Sequence, residues 1–79
     1  MDQTNRFAIC VTQGDDTDLL KVYPVLDDND AEETGMLRII DESGEDYLHA
    51  STRFIVVTLP VTEARTLLHS MEIPVTSHN

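Results

Sequence analysis

Asp41, Glu42, Glu45 and Asp46 crowd one short stretch around Ser43 and Gly44. Carboxylates this close raise one another's proton affinity, as a general acid beside a general base requires. A glycosidase-like pair also needs a cleft that holds substrate between the two groups. A chain of 79 residues offers only a shallow groove. The plainer chemistry is local: Asp41 accepts hydrogen bonds from backbone amides of its own turn, and the other acids stay hydrated.

Other chemistries find less support. Ser51, His49 and Asp46 supply the residue types of a nucleophilic triad, but positions this close on one strand do not converge. Asp28, Asp30 and Glu32 have the alternate spacing of a calcium loop. Glu33 stands where the sharp turn of such a loop needs glycine, and Ile39 stands where its bidentate glutamate belongs. Zinc would need clustered ligands, whereas His49, His69 and His78 are scattered and Cys10 is alone. No cofactor motif is present. The expectation is a protein that is not an enzyme and holds neither metal nor cofactor.

Recognition by aromatic residues is the remaining possibility. Polyproline grooves and methyl-lysine cages need several aromatic walls, and the chain has two Tyr and no Trp. The plain expectation sets each Tyr ring at the rim of the domain with a wet hydroxyl. The sharper one makes Tyr23, Tyr47 and His49 the centre of a protein contact, ringed by Asp41, Glu42 and Asp46. That is the usual layout of an interaction hot spot.

Charge narrows the partners. Fifteen acids against five bases give a net charge of −10. Most of the acids fall between Asp15 and Asp46, where the only bases are Lys21 and Arg38. Such a surface repels phosphate backbones and anionic headgroups, so neither direct nucleic-acid binding nor membrane binding is expected. The charge serves solubility or presents a docking face to a basic protein. Cys10 has no partner for a disulfide and reads as a small apolar residue in a strand. No segment reaches the length of a membrane span. The first residues lack the layout of a signal peptide. The expected location is the cytoplasm.

The elements that must position these residues are short. Residues 6–12 and 19–26 read as strands; in the second, Leu20 and Val22 point inward, opposite Lys21 and Tyr23. Pro24 has no donor and marks an edge or a bulge. Asp30–Thr34 suits one helical turn closed by Gly35. Residues 36–40 and 46–50 form a hairpin with Gly44 at positive φ. Ala50–Arg53 suits a 3₁₀ turn. Phe54–Leu59 is apolar on both faces and calls for cover on both sides. Pro60 opens a helix over 61–71. Its stripe of Val61, Ala64, Leu67, Leu68 and Met71 covers the chain's own sheet, or else drives self-association. A frayed tail is expected at 74–79.

This order predicts a single, mainly β domain spanning 1–79. The favoured architecture is a five-stranded SH3-like small barrel over about 6–59 with a short C-terminal helix. The alternative is an open antiparallel sheet with one helix packed on a face. Three segments carry a resemblance: Lys21–Leu26, Gly35–Leu48, and Phe54 with Leu59–Pro60. Together they resemble a group of short uncharacterised bacterial proteins in which a "KVY-VL-D" strand precedes a "G--R-IDESGEDYL" hairpin. The resemblance covers roughly residues 19–60 and implies a shared domain without an activity. The chain departs from that pattern at His49-Ala50, where proline or an aromatic is expected.

Three functions follow as expectations. The first is a small acidic, non-catalytic module that binds a basic protein. The second is a nucleic-acid mimic that inhibits a DNA- or RNA-binding protein, and the third an accessory or structural subunit. The chain is expected to be a monomer, or a weak homodimer through the C-terminal helix.

Overall fold

Alternation of inward and outward side chains builds the sheet. A computed structural model describes residues 4–14 and 16–71. The strands are β1 (Arg6–Cys10), β2 (Val22–Leu26), β3 (Met36–Ile40), β4 (Asp46–Ala50) and β5 (Phe54–Thr58). A helix, α1 (Asn29–Glu33), joins β2 to β3; a 3₁₀ turn (Ser51–Arg53) joins β4 to β5; and α2 (Val61–Met71) follows β5. All pairings are antiparallel and the sheet order is β4-β3-β2-β1-β5. The sheet is open, with β4 and β5 as its edges, and one helix lies on a face. Among the two expected architectures the open sheet is the one that fits.

Two apolar layers hold it together. On one face Ala8, Cys10, Tyr23, Val25, Leu37, Ile39 and Phe54 form the main core. On the other, Phe7 meets Ala64 and Leu68 of α2, with Val22, Val57, Leu59, Leu67 and Met71 around them. The helical stripe therefore covers the chain's own sheet, except for Val61, which stays exposed. Cys10 is fully buried, its thiol 3.3 Å from the Thr12 carbonyl.

Several sequence expectations need correction. β2 starts at Val22, which packs inward against α2 as expected, but Tyr23 and Val25, on the other face, enter the main core. Both faces of this strand are covered, one by the main core and one by α2. Leu20 lies outside the strand, 70% exposed and with φ 64°. Pro24 is in a central strand, not at an edge. It lies opposite Phe7 of β1, while the register with β3 begins only at Val25, so its missing donor falls beyond that ladder. β5 pairs with β1 alone and is covered in part on each face, Phe54 entering the main core and Val57 meeting α2 while Ile55 and Val56 stay exposed. The tail expected to fray lies outside the described residues.

Hairpin and helix ends follow the local rules. Asp28 caps α1 by accepting the Ala31 N–H at 3.0 Å. Gly35 and Gly44 have φ of 80° and 85°, a region that favours glycine.

Candidate functional site

The β3–β4 turn is built around Asp41. Its Oδ1 accepts the Ser43 N–H at 3.0 Å and the Ser43 hydroxyl at 2.5 Å. The Ser43 oxygen in turn accepts the Glu45 N–H at 3.2 Å. Gly44 N–H donates to the Asp41 carbonyl at 2.9 Å. Asp41 thus organises its own turn, as its type and position suggested. Its second carboxylate oxygen lies 3.0 Å from His49 Nε2. Both side chains are buried, Asp41 at 1% and His49 at 8% exposure. Burial raises the Asp41 pKa, but the bonds from Ser43 and His49 outweigh it and hold the carboxyl below its ordinary value.

Ser43, Asp41 and His49 carry the residue types of a hydrolase triad in the wrong order. In a triad the imidazole stands between hydroxyl and carboxylate. Here the carboxylate stands in the middle and takes the serine proton donor itself. The arrangement braces a turn, with the imidazole set on the carboxylate and not on the serine hydroxyl. Asp46 pairs with Arg38 at 3.2 Å, and its side chain projects from the opposite face of β4 to that of His49.

A second turn meets the first. Glu42 N–H donates to the Asp16 carbonyl at 2.9 Å. Tyr23 lies between the two segments: its hydroxyl donates to Glu42 Oε2 and accepts the Asp18 N–H, each at 2.7 Å. Burial, followed by the carboxylate of Glu42, pushes the phenol well above its ordinary pKa, against the opposing bond from Asp18. Asp16, Asp18, Glu42 and Glu45 are all exposed in this area. Lys21 is the base there, 3.4 Å from Glu42 and 3.9 Å from Asp18.

The six residues expected to form a contact surface therefore divide. Tyr23, Asp41 and His49 are buried and brace the turns, with His49 edge-on to Phe54 at 6.0 Å. A wet rim position for the Tyr23 hydroxyl is thereby corrected. Glu42, Asp46 and Tyr47 are exposed. Tyr47 is 50% exposed, and its hydroxyl donates to Glu45 at 3.2 Å. That bond, with the negative charges of Asp41 and Asp16, raises its pKa.

Arginines organise the acids of α1. Arg38 bridges Asp28 at 2.7 Å and Asp46, while Arg6 bridges Asp27 at 2.9 Å and Glu32 at 2.7 Å. Two carboxylates of the calcium-like spacing are thus engaged by guanidinium groups. Among the described residues no group of three His, Cys, Asp or Glu side chains is placed to hold a metal. Sequence reasoning also missed Arg53. Its Nε donates to the Thr12 carbonyl at 3.2 Å and its Nη2 to Thr17 Oγ1 at 3.0 Å, over the open face of Gly14. Gly14 was the available signal, since any Cβ there would occupy the guanidinium's place.

No described helix is long and apolar enough to cross a membrane. No protein-family model, curated protein or solved structure matches the chain.

Proposed function

We propose that this protein is a small acidic interaction module that binds a basic protein partner without catalysis. The supporting observation is the setting of Tyr47. An exposed aromatic stands on edge strand β4 beside Glu45 and Asp46, and the Glu42–Asp16 bond carries a second acidic segment to the same end of the sheet. An aromatic centre with a charged rim suits a guanidinium- or ammonium-bearing surface, through cation–π contact and charge. The buried members of the set, Tyr23, Asp41 and His49, hold the two segments in place.

We further propose that the sheet belongs to the SH3-like barrel class. The strand order, the 3₁₀ turn between β4 and β5, and the contact of His49 on β4 with Phe54 on β5 support it.

The test is capture of partners by the immobilised chain, with Tyr47→Ala and Glu45→Gln variants alongside. A basic partner should bind at low salt, weaken at high salt, and be lost with Tyr47→Ala. A partner held equally by all variants and salts would sink the reading. Duplex DNA added to the captured partner separates this reading from nucleic-acid mimicry: a mimic's partner is displaced by DNA, and the partner proposed here is not.

A further inference from the structure

The loop before β2 carries two leucines at its tip. Lys21 N–H donates to the Asp18 carbonyl at 3.1 Å, so Leu19 and Leu20 are the central residues of a β-turn. Of the two, only Leu20 has positive φ, which is the type II pattern and favours glycine there. Leu20 N–H also donates to the Cys10 carbonyl at 2.7 Å, and Cys10 N–H to the Lys21 carbonyl at 2.9 Å. Leu20 and Lys21 thus face one residue of β1. That is a bulge whose first residue is typically a glycine in the left-handed region. A leucine fills a position that two local patterns assign to glycine.

Core packing does not account for it. Leu19 is 53% exposed and Leu20 more so, and Val11, next to Cys10, is exposed as well. Strained backbone persists only where its surroundings hold it, and such residues gather at ligand contacts. Here the hold is visible: the Tyr23 hydroxyl takes the Asp18 N–H, and Cys10 takes the Leu20 N–H. Acids stand around this tip. Asp18 opens the turn, the Tyr23 hydroxyl brings Glu42 beside it, and Glu42 N–H binds the Asp16 carbonyl. Lys21 is the base among them, near Glu42 and Asp18, and the carboxylates outnumber it.

We propose that Leu19 and Leu20 are an apolar anchor for the basic partner. They enter an apolar pocket of that protein, and Lys and Arg on the pocket's rim face Asp16, Asp18 and Glu42. An apolar centre inside a charged rim is how contact energy is usually concentrated. A turn already held in shape loses little backbone freedom on binding. Charge complementarity chooses the occupant. A second copy would set the same carboxylates against each other, and an anionic lipid surface would repel them. The inference rests on the acidic-module reading for the partner's charge, while Tyr47 is no part of the tip.

Titration of the full chain with two synthetic peptides of equal charge tests this. One is an amphipathic Lys/Leu helix, with an apolar face between rows of lysine; the other is an oligolysine. The Lys/Leu peptide should bind about tenfold more tightly or better, with the largest NMR shifts at the Leu19 and Leu20 methyls. Leu20→Asn places a residue that tolerates the left-handed region, and Leu19→Ser needs no change of φ. Each should bring the Lys/Leu peptide down toward the affinity of oligolysine, without lowering the urea midpoint. Equal affinity of the wild type for the two peptides overturns the inference, and so does unchanged affinity in both variants. Binding of the wild type to neutral phosphatidylcholine vesicles, lost in both variants, also overturns it, by making the tip a lipid anchor. Tyr47→Ala separates the two readings. Affinity lost with Tyr47→Ala but kept in the leucine variants removes the anchor and leaves the acidic module standing. Affinity lost only in the leucine variants supports the anchor and removes Tyr47 as the centre. If neither peptide binds at low salt, both readings fall.

Discussion

His49 on β4 reaches back across the hairpin to Asp41 at the end of β3, and the two side chains meet at 3.0 Å with almost no access to water. The pair ties the β3–β4 turn to the inner layer, where His49 also meets Phe54. The turn is therefore held from within as well as by its own backbone.

Asp41→Ala should destabilise the fold by about 2–3 kcal/mol, the range for a buried charged hydrogen-bonding group that leaves its partners unsatisfied. Urea unfolding of wild type and variant measures it. A change below measurement error would show that the turn stands without the carboxylate.

Acid should weaken the fold through Asp41 and Asp28. Both carboxyls lie below their ordinary value when folded: Asp41 for the reasons above, Asp28 through the Ala31 N–H and then Arg38. The unfolded chain therefore takes up protons first as pH falls. The stabilisation is present above the ordinary carboxylate range near about pH 4 and is lost below it. Urea midpoints followed from neutral pH downward should fall there, and Asp41→Asn should flatten part of that slope.

Gly44→Val isolates a backbone effect. Nothing lies within 4 Å of the added Cβ, while φ is 85°. The expected cost is about 1–2 kcal/mol, visible as a lower Tm. An unchanged Tm would mean that the turn adopts another conformation.

Leu20→Gly should do the opposite. Leu20 holds φ 64° and buries little surface, so glycine relieves strain and loses few contacts. The entropy of a glycine in the unfolded chain offsets part of the gain. A net rise of up to about 1 kcal/mol is expected from an αL penalty of this size, read from the same urea titration.

Tyr23→Phe removes the hydroxyl that joins Asp18 to Glu42. A loss of about 1 kcal/mol is expected. Amide exchange should speed up at Asp18 more than in β3, because the loop loses its tie while the sheet keeps its ladder.

The hairpin was legible because its signals are local. Apolar residues on each side of Asp41–Glu45, and a glycine that must take positive φ, specify a tight reversal regardless of the rest of the chain. The α2 stripe was legible for the same reason, through its spacing. Tyr23 was not. Its strand is covered on both faces, by the main core and by α2, so alternation alone does not mark Tyr23 as buried. The closing of Glu42 onto Asp16 is likewise a contact between distant segments with no local mark. Composition called for cover on both faces of β5, which Phe54 and Val57 find, but its place at the edge of the sheet depends on which strand β1 selects.

The lone thiol of Cys10 turns this fold into its own stopwatch. Sealed inside the sheet, it meets an alkylating reagent only after β1 has parted from its neighbours. The rate of labelling in native buffer thus times how often the molecule comes open, with no dye, tag or denaturant required.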